Sequence, residues 1–354
     1  MAHNLPDMTS PIIRTEGLHK QFAGKNGTTI TAVKDLTMDV EEGSLTAFLG
    51  PNGAGKSTSL RMLTTLLAPT SGNATVCGFD ITRDPAQVRA RIGYIGQKNG
   101  AGLYQRVRDE LDIQGSLYGL TSRQTRERVT ELVDVLGLGE VVDQPTMKLS
   151  GGQRRRVDIA LGLIPGPRLL FLDEPSTGLD PQSRAHLWEL VLRLRERYGM
   201  TLLLTTHYLD EADNFAERVL VVDHGEVIAD DTATGLKANL AGDRITVTAT
   251  GSPDDITAIA SRAATASGAP DPDPRTAPAD PTDPAGGTEV TVRVNGADRI
   301  LPALLRDLEA RGHTVLRADS ARPTLDDVFL SLTGRSLREE AETTTEPALT
   351  GAAR

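Results

Sequence analysis

The chain has one cysteine, Cys77, among 354 residues, which leaves no partner for an intramolecular disulfide and rules out a cysteine-based zinc site. That fits a reducing compartment, with Cys77 read as a small buried apolar residue. No stretch approaches the roughly 18 consecutive apolar residues of a membrane span, and Met1 to Ser10 has no apolar core of the signal-peptide kind. Any membrane role is therefore expected to be borrowed from a partner. Clustered positive charge is scarce too. The formal charge is −10, and basic runs such as Arg154-Arg155-Arg156 are short, which argues against a protein that mainly coats nucleic acid. Internal repeats are lacking. With 38% hydrophobic and 24% charged residues, the composition is that of a soluble globular protein long enough for two domains.

What is present is concentrated first in Gly50-Pro51-Asn52-Gly53-Ala54-Gly55-Lys56-Ser57-Thr58, at the end of the apolar run Leu45 to Leu49. The pattern G-x-x-x-x-G-K-[ST] binds phosphate because glycines let backbone N–H groups turn inward where side chains would block them. Lys56 places an ammonium on the β- and γ-phosphates, and the Ser57 hydroxyl can ligate Mg²⁺. Behind the loop, Ser57 to Leu67 reads as a helix whose N-terminal dipole end faces the anion.

Alternation with turn formers from Pro11 to about Val33, then Leu36 to Val40, predicts short antiparallel strands. Four apolar strands follow at Leu45 to Leu49, Leu169 to Leu172, Leu202 to Thr205 and Val219 to Val222, separated by helical patterns. That is a mostly parallel α/β sheet. Spaced apolar residues over Val107 to Tyr118 and Ser122 to Leu136 predict a helical subdomain inserted at about 98–165. The stretch Gln182 to Tyr198 reads as a core-packing helix through Leu187, Leu190, Val191 and Leu194, with Trp188 packing beside them. From 241 to 336 a separate α+β unit is expected, with strands at Arg244 to Thr250, Glu289 to Val294 and Thr314 to Ala318 and helices near Asp254 to Ala264 and Arg299 to Arg311. Within it, the Pro- and Asp-rich stretch 268–287 reads as a disordered loop, and residues 1–10 and 337–354 as loose ends.

Later motifs narrow the chemistry. Leu169 to Leu172 ends in Asp173-Glu174, which places two carboxylates at the sheet's C-terminal edge: Asp173 for Mg²⁺ and Glu174 to polarise water as general base. Leu149-Ser150-Gly151-Gly152-Gln153 then opens a helix at Arg154, so its N–H groups form a second anion-seeking edge. This segment resembles the signature of the ATP-binding cassette ATPases, and the resemblance runs from Pro11 to about Leu240. It implies a P-loop NTPase core with an antiparallel β subdomain and the helical insertion. Gln97 matches the family's glutamine loop, linking Mg²⁺ and water to the helical subdomain. Ser176-Thr177-Gly178-Leu179-Asp180 matches its aspartate loop and His207 its switch histidine. Phe22 stands where an aromatic, commonly tyrosine, stacks on adenine. The lack of an Asn-Lys-x-Asp segment, which reads guanine, favours ATP. The resemblance also implies that two cassettes clamp two ATP molecules head to tail. One phosphate loop per chain then makes a homodimer the simplest assembly.

Within that family the chain is most similar to the ATP-binding subunits of daunorubicin-resistance drug exporters. The residues behind this are Thr15-Glu16-Gly17-Leu18, Ile92-Gly93-Tyr94-Ile95-Gly96-Gln97, Leu117-Tyr118-Gly119-Leu120, Thr206-His207-Tyr208-Leu209-Asp210-Glu211-Ala212 and Pro323 to Arg335. The implied role is ATP hydrolysis that drives efflux of a hydrophobic drug through a separately encoded permease, at the cytoplasmic face of the membrane. A different transported substrate, a soluble cassette ATPase acting on nucleic acid or ribosomes, and an ATP-gated regulatory module are the alternatives. Soluble cassette ATPases usually carry tandem cassettes, coiled coils or zinc cysteines, and intact Glu174 and His207 count against the regulatory module.

Overall fold

A computed structural model describes residues 11–24, 28–98, 100–269, 274–278 and 287–334. The chain divides into two compact units, one ending at Asp230 and the other starting at Asp231. The expected loose ends, 1–10 and 337–354, lie outside the described residues.

The first unit is built on ten strands: β1 Ile13–Ala23, β2 Thr29–Val40, β3 Leu45–Leu49, β4 Ser71–Val76, β5 Phe79–Asp80, β6 Ile92–Ile95, β7 Leu169–Asp173, β8 Thr201–Thr206, β9 Arg218–Asp223 and β10 Glu226–Asp231. Their order is β5-β4-β1-β2-β10-β9-β3-β8-β7-β6. β1 pairs antiparallel with β2 and β4, which is the expected β subdomain. The run β9-β3-β8-β7-β6 is parallel. Every residue of β3, β7 and β8 is buried, as continuous apolar strands covered on both faces must be. Parallel pairing also sets their C-terminal ends side by side, with Leu49 opposite Thr206 and Asp173 opposite Thr205. The crevice beyond those ends is where such sheets bind ligands.

β6 was not among the four expected parallel strands, because four residues interrupted by Gly93 carry little strand signal. Its glycine has a tertiary cause. A Cβ at Gly93 would stand 2.3 Å from the Gly162 carbonyl oxygen, so a crossing helix comes too close for any side chain.

The helices of this unit are α1 Lys56–Leu63, α2 Pro85–Arg89, α3 Val107–Leu117, α4 Ser122–Val135, α5 Gly151–Leu163, α6 Pro181–Tyr198 and α7 Leu209–Phe215. α1 stops short of the expected Leu67. Thr65 takes a left-handed φ of 61° and the Leu67 N–H turns back to the Arg61 carbonyl, which closes the helix. α3, α4 and α5 form the helical insertion. α4 and α5 both start on capping boxes, Thr121 with Gln124 and Ser150 with Gln153. α6 begins at the cap Asp180 with Pro181 in its first turn and ends at Gly199, φ 59°. Its buried stripe is the expected one, and Trp188 stacks on Phe215 with ring centroids 4.6 Å apart.

The second unit contains α8 Ala233–Leu236, a π-helical turn Lys237–Ala241, β11 Asp243–Thr250, α9 Pro253–Ser267, β12 Arg275–Pro278, β13 Thr288–Val294, α10 Ala297–Ala310, β14 Thr314–Ala321 and α11 Leu325–Thr333. It starts before the expected 241 because α8 and the π-turn pack against α11. The sheet order β12-β13-β11-β14, with antiparallel pairings and α9 and α10 as crossovers, is a split βαβ arrangement. Alternate residues Ile245, Val247 and Ala249 meet Ile256, Ile259, Leu304 and Leu308 in one core. The stretch expected to be a disordered loop contains β12, whose residues 275–278 pair with β13. This corrects the expectation over those residues: an edge strand tolerates Pro278 because that side need not donate to a ladder. Residues 270–273 and 279–286 of the same stretch lie outside the described residues. Among the described residues, no helix is long and apolar enough to cross a membrane.

Candidate functional site

The phosphate loop links β3 to α1. At Gly50 a Cβ would lie 2.1 Å from the Val222 carbonyl oxygen. Gly55, at φ 98°, presses so closely on β2 that a Cβ would meet the Ala32 oxygen at 2.3 Å. Neither position accepts a side chain. Two residues along β2 from Ala32, Ile30 pairs with Phe22, whose exposed ring lies 5.2 Å from Lys20 Nζ. Phe22 is thus an exposed aromatic, with Lys20 over its ring, on the strand pair that abuts the loop.

Lys56 is 4% exposed, and its Nζ donates to the carbonyls of Gly50 at 2.6 Å and Pro51 at 2.9 Å. Burial lowers the pKa of its ammonium, while the charges of Glu174 and Asp173 raise it in part. Ser57 Oγ donates to Asp173 Oδ1 at 2.8 Å, and Thr205 Oγ1 donates to the same oxygen at 2.7 Å. Tyr94 OH reaches Asp173 Oδ2 at 3.3 Å. A hydroxyl and a carboxylate placed together beside a phosphate loop are hard oxygen donors, the set that suits Mg²⁺.

Glu174 sits at φ 46°, a left-handed backbone that costs a non-glycine residue about 1 kcal/mol or more. Its N–H is held at 3.1 Å by both the carbonyl and the hydroxyl of Thr205. The turn aims the carboxylate at three neighbours. Gln97 Nε2 donates to Oε2 at 2.7 Å, Thr177 Oγ1 donates at 3.2 Å, and His207 Nδ1 lies 3.4 Å away without hydrogen-bond alignment. Burial works to raise the pKa of this carboxyl, but the His207 and Gln97 contacts and the charges of His207 and Lys56 outweigh it, bringing it down to about 2. The His207 ring rests on Tyr208, centroids 4.2 Å apart, and Arg184 covers Tyr208 at 4.0 Å.

Lys56, Ser57, Asp173, Glu174, Gln97 and His207 are therefore brought together, as expected. Gln97 contacts Glu174 here and not the Ser57–Asp173 pair proposed for Mg²⁺. Ser150, Gly151, Gly152 and Gln153 form a different group. The Gln153 N–H donates to Ser150 Oγ at 3.2 Å and the Ser150 N–H to Gln153 Oε1 at 2.9 Å. Asp180 caps α6 by accepting from the Ser183 N–H at 2.9 Å and Ser183 Oγ at 2.6 Å, bonds that lower its pKa. A cavity of about 220 Å³ lies beside this edge, with Ser150, Gly152, Gln153, Arg155, Ser183 and His186 among its lining residues.

Sequence reasoning missed the supports. Thr205 orders both Asp173 and Glu174, and its signal was a hydroxyl in a buried apolar strand, where it must find a partner. Glu211, 2% exposed, accepts from Ser176 Oγ and from Thr206 Oγ1 at 2.8 Å, so one carboxylate ties the aspartate loop to the residue before His207. Nothing in the spacing announced it.

Residues 33–177 match the ABC transporter family. The chain is 42% identical to the daunorubicin resistance ATP-binding protein DrrA2 of Streptomyces coeruleorubidus, over 91% of this chain and 95% of that protein. It is 40% identical to the daunorubicin/doxorubicin resistance ATP-binding protein DrrA of Streptomyces peucetius, over 93% and 96% of the two chains. Among solved structures it resembles cbiO1 from Clostridium perfringens, part of the ABC transporter complex cbiONQ. The TM-score is 0.57 and the identity 30%, covering 63% of this chain and 89% of that one.

Proposed function

This chain belongs to the ABC transporter family as one of its ATP-binding, ATP-hydrolysing subunits, and from that premise we propose that it powers efflux of a hydrophobic drug through a separate membrane permease. Two copies pair head to tail around two ATP molecules, at the cytoplasmic face of the membrane. What supports the sandwich is that the two anion-seeking edges make separate sets of hydrogen bonds. The Lys56 loop and the Ser150–Gln153 edge belong to different groups of contacts in one subunit, so the second edge serves the nucleotide of a sister copy. The drug reading rests on full-length relatives named for resistance to daunorubicin and doxorubicin.

The chemistry follows from the cluster. When ATP enters, Lys56 exchanges the carbonyls of Gly50 and Pro51 for phosphate oxygens, and Phe22 stacks on adenine. Ser57 and Asp173, joined by the amide oxygen of Gln97, would hold Mg²⁺, which supplies charge neutralisation on the β- and γ-phosphates. Glu174 is a weak base in the free protein. The arriving γ-phosphate claims Lys56, which removes from Glu174 one of the charges that hold its proton affinity down. His207, fixed by Tyr208, orients the γ-phosphate and the attacking water.

A strain lacking this chain should become sensitive to anthracycline-type drugs. Resistance should return with the wild-type chain and not with Lys56→Ala. Unchanged sensitivity across a panel of hydrophobic drugs would refute drug efflux, and ATPase stimulation by RNA or DNA would point to the nucleic-acid alternative.

A further inference from the structure

Arg155 and Asp158 lie one turn apart on α5, 6% and 5% exposed; Arg155 also lines the cavity beside the Ser150 edge, but neither side chain hydrogen-bonds to the Lys56 loop or to Ser150–Gln153 among the described residues. A buried guanidinium is costly unless its N–H groups find partners. Those of Arg155 go to two backbone carbonyls: Nε donates to Pro175 O at 2.6 Å and Nη1 to Gly96 O at 2.8 Å. Pro175 directly follows Glu174, and Gly96 directly precedes Gln97. Asp158 takes the far end of the same loop, its Oδ1 accepting the Gly100 N–H at 2.8 Å. One turn of α5 therefore grips the loop on both sides of Gln97 and the chain where it leaves Glu174.

The helix that does this is anchored elsewhere. Arg128 on α4 donates to the Leu163 carbonyl at 2.9 Å, and Arg156 donates to the Leu136 carbonyl at 3.1 Å. α5 is thus bound to α4 and the turn that follows it on one side and to the exits of β6 and β7 on the other. The arrangement is also poorly made for stability alone. Arg155 and Asp158 approach only to 3.8 Å, and Arg155 Nη2 and Asp158 Oδ2 have no hydrogen-bond partner among the described residues. An incompletely satisfied buried ion pair is an expensive staple for a fold.

We propose that Arg155 and Asp158 are a positioning pair that sets Gln97 and Glu174 relative to each other and makes that setting depend on where α5 sits. This rests on the catalytic roles assigned to Gln97 and Glu174 above.

The test uses the full chain with Arg155→Gln and Asp158→Asn, each in the wild-type and Gln97→Ala backgrounds. Steady-state ATP hydrolysis is measured, together with amide hydrogen exchange of the nucleotide-free protein. Arg155→Gln should lower kcat about 10- to 100-fold, the range expected for misplacing reacting groups by up to about 1 Å, with little change in KM. Exchange should quicken at 96–101 and 174–178 while the rest of the unit keeps its protection. In the Gln97→Ala background the same substitution should cost less than about 3-fold, because coupled residues are not additive. A full additive loss, or unchanged exchange in both segments, would overturn the proposal. Asp158→Asn keeps an oxygen for the Gly100 N–H but removes the charge facing Arg155, and serves if Arg155→Gln does not fold. It should lower kcat less than Arg155→Gln does, with the same non-additivity and the same local exchange, and unchanged kcat and exchange there would equally refute the pair. Exchange is read without nucleotide, drug or permease, so failure of the efflux reading leaves this result interpretable.

Discussion

Replacing Glu174 by glutamine removes one charge from a site whose balance can be worked out. The carboxyl stands at about 2 against an ordinary 4.5. At 1.36 kcal/mol per pH unit, that difference corresponds to about 3 kcal/mol in favour of the ionised form. The stabilisation comes from His207, Gln97 and Lys56, and it survives the opposing cost of burial. Glu174→Gln keeps an oxygen that can accept from Gln97 Nε2 but loses the attraction to Lys56 and His207. The nucleotide-free variant should therefore be less stable at pH 7, by at most about 3 kcal/mol. A depressed pKa contributes stability that is fully present above 4.5 and is lost as pH falls towards 2, so the gap between wild type and variant should close across that window. Turnover should fall about 10²- to 10⁴-fold, the usual contribution of a general base, while ATP binding persists and an ATP-bound dimer accumulates. Single-turnover hydrolysis with Mg-ATP, sedimentation, and urea unfolding at neutral and acid pH read all three. Turnover within twofold of wild type would remove Glu174 from the role of base. A stability gap that stays constant into acid would refute the electrostatic account.

Two further outcomes are expected. Ser150→Arg should leave ATP binding by the single subunit intact while blocking pairing. In a mixed dimer, the defect should appear at the nucleotide held by the wild-type partner, and a defect confined to the variant's own nucleotide would refute the sandwich. Cys77 is buried, and its thiol is pushed up to about 11, chiefly by that burial. A thiol reagent at pH 8 should modify it in denaturant far faster than in the native protein, and equal rates would show that the site opens readily.

Much of the site was legible along the chain because its motifs are local. A phosphate loop must be glycine-rich, must end a strand and must open a helix, so residues 50–58 declare themselves within one stretch. Asp173 and Glu174 were visible for the same reason, as two acids closing an apolar run. The helical insertion and the α6 stripe were carried by apolar spacing. Elements that only a neighbour explains stayed hidden. β6 is too short and too broken by Gly93 to be read, since that glycine answers to the Gly162 carbonyl on α5. β12 lies in a segment with the composition of a loop and becomes a strand by pairing with the edge of β13.

By itself the sequence determined which atoms are available: the loop's N–H groups, the Lys56 ammonium, the two carboxylates, the imidazole of His207 and the Ser-Gly-Gly edge. Tertiary structure alone decided that Gln97 and His207 close on Glu174, that Thr205 braces both acids, that Arg155 spans two carbonyls, and that the signature edge belongs to a separate group. The reason is physical. Backbone conformation and motif chemistry are set within a few residues, whereas partners for buried polar groups come from strands and helices distant in the chain, and only packing selects which of them meet.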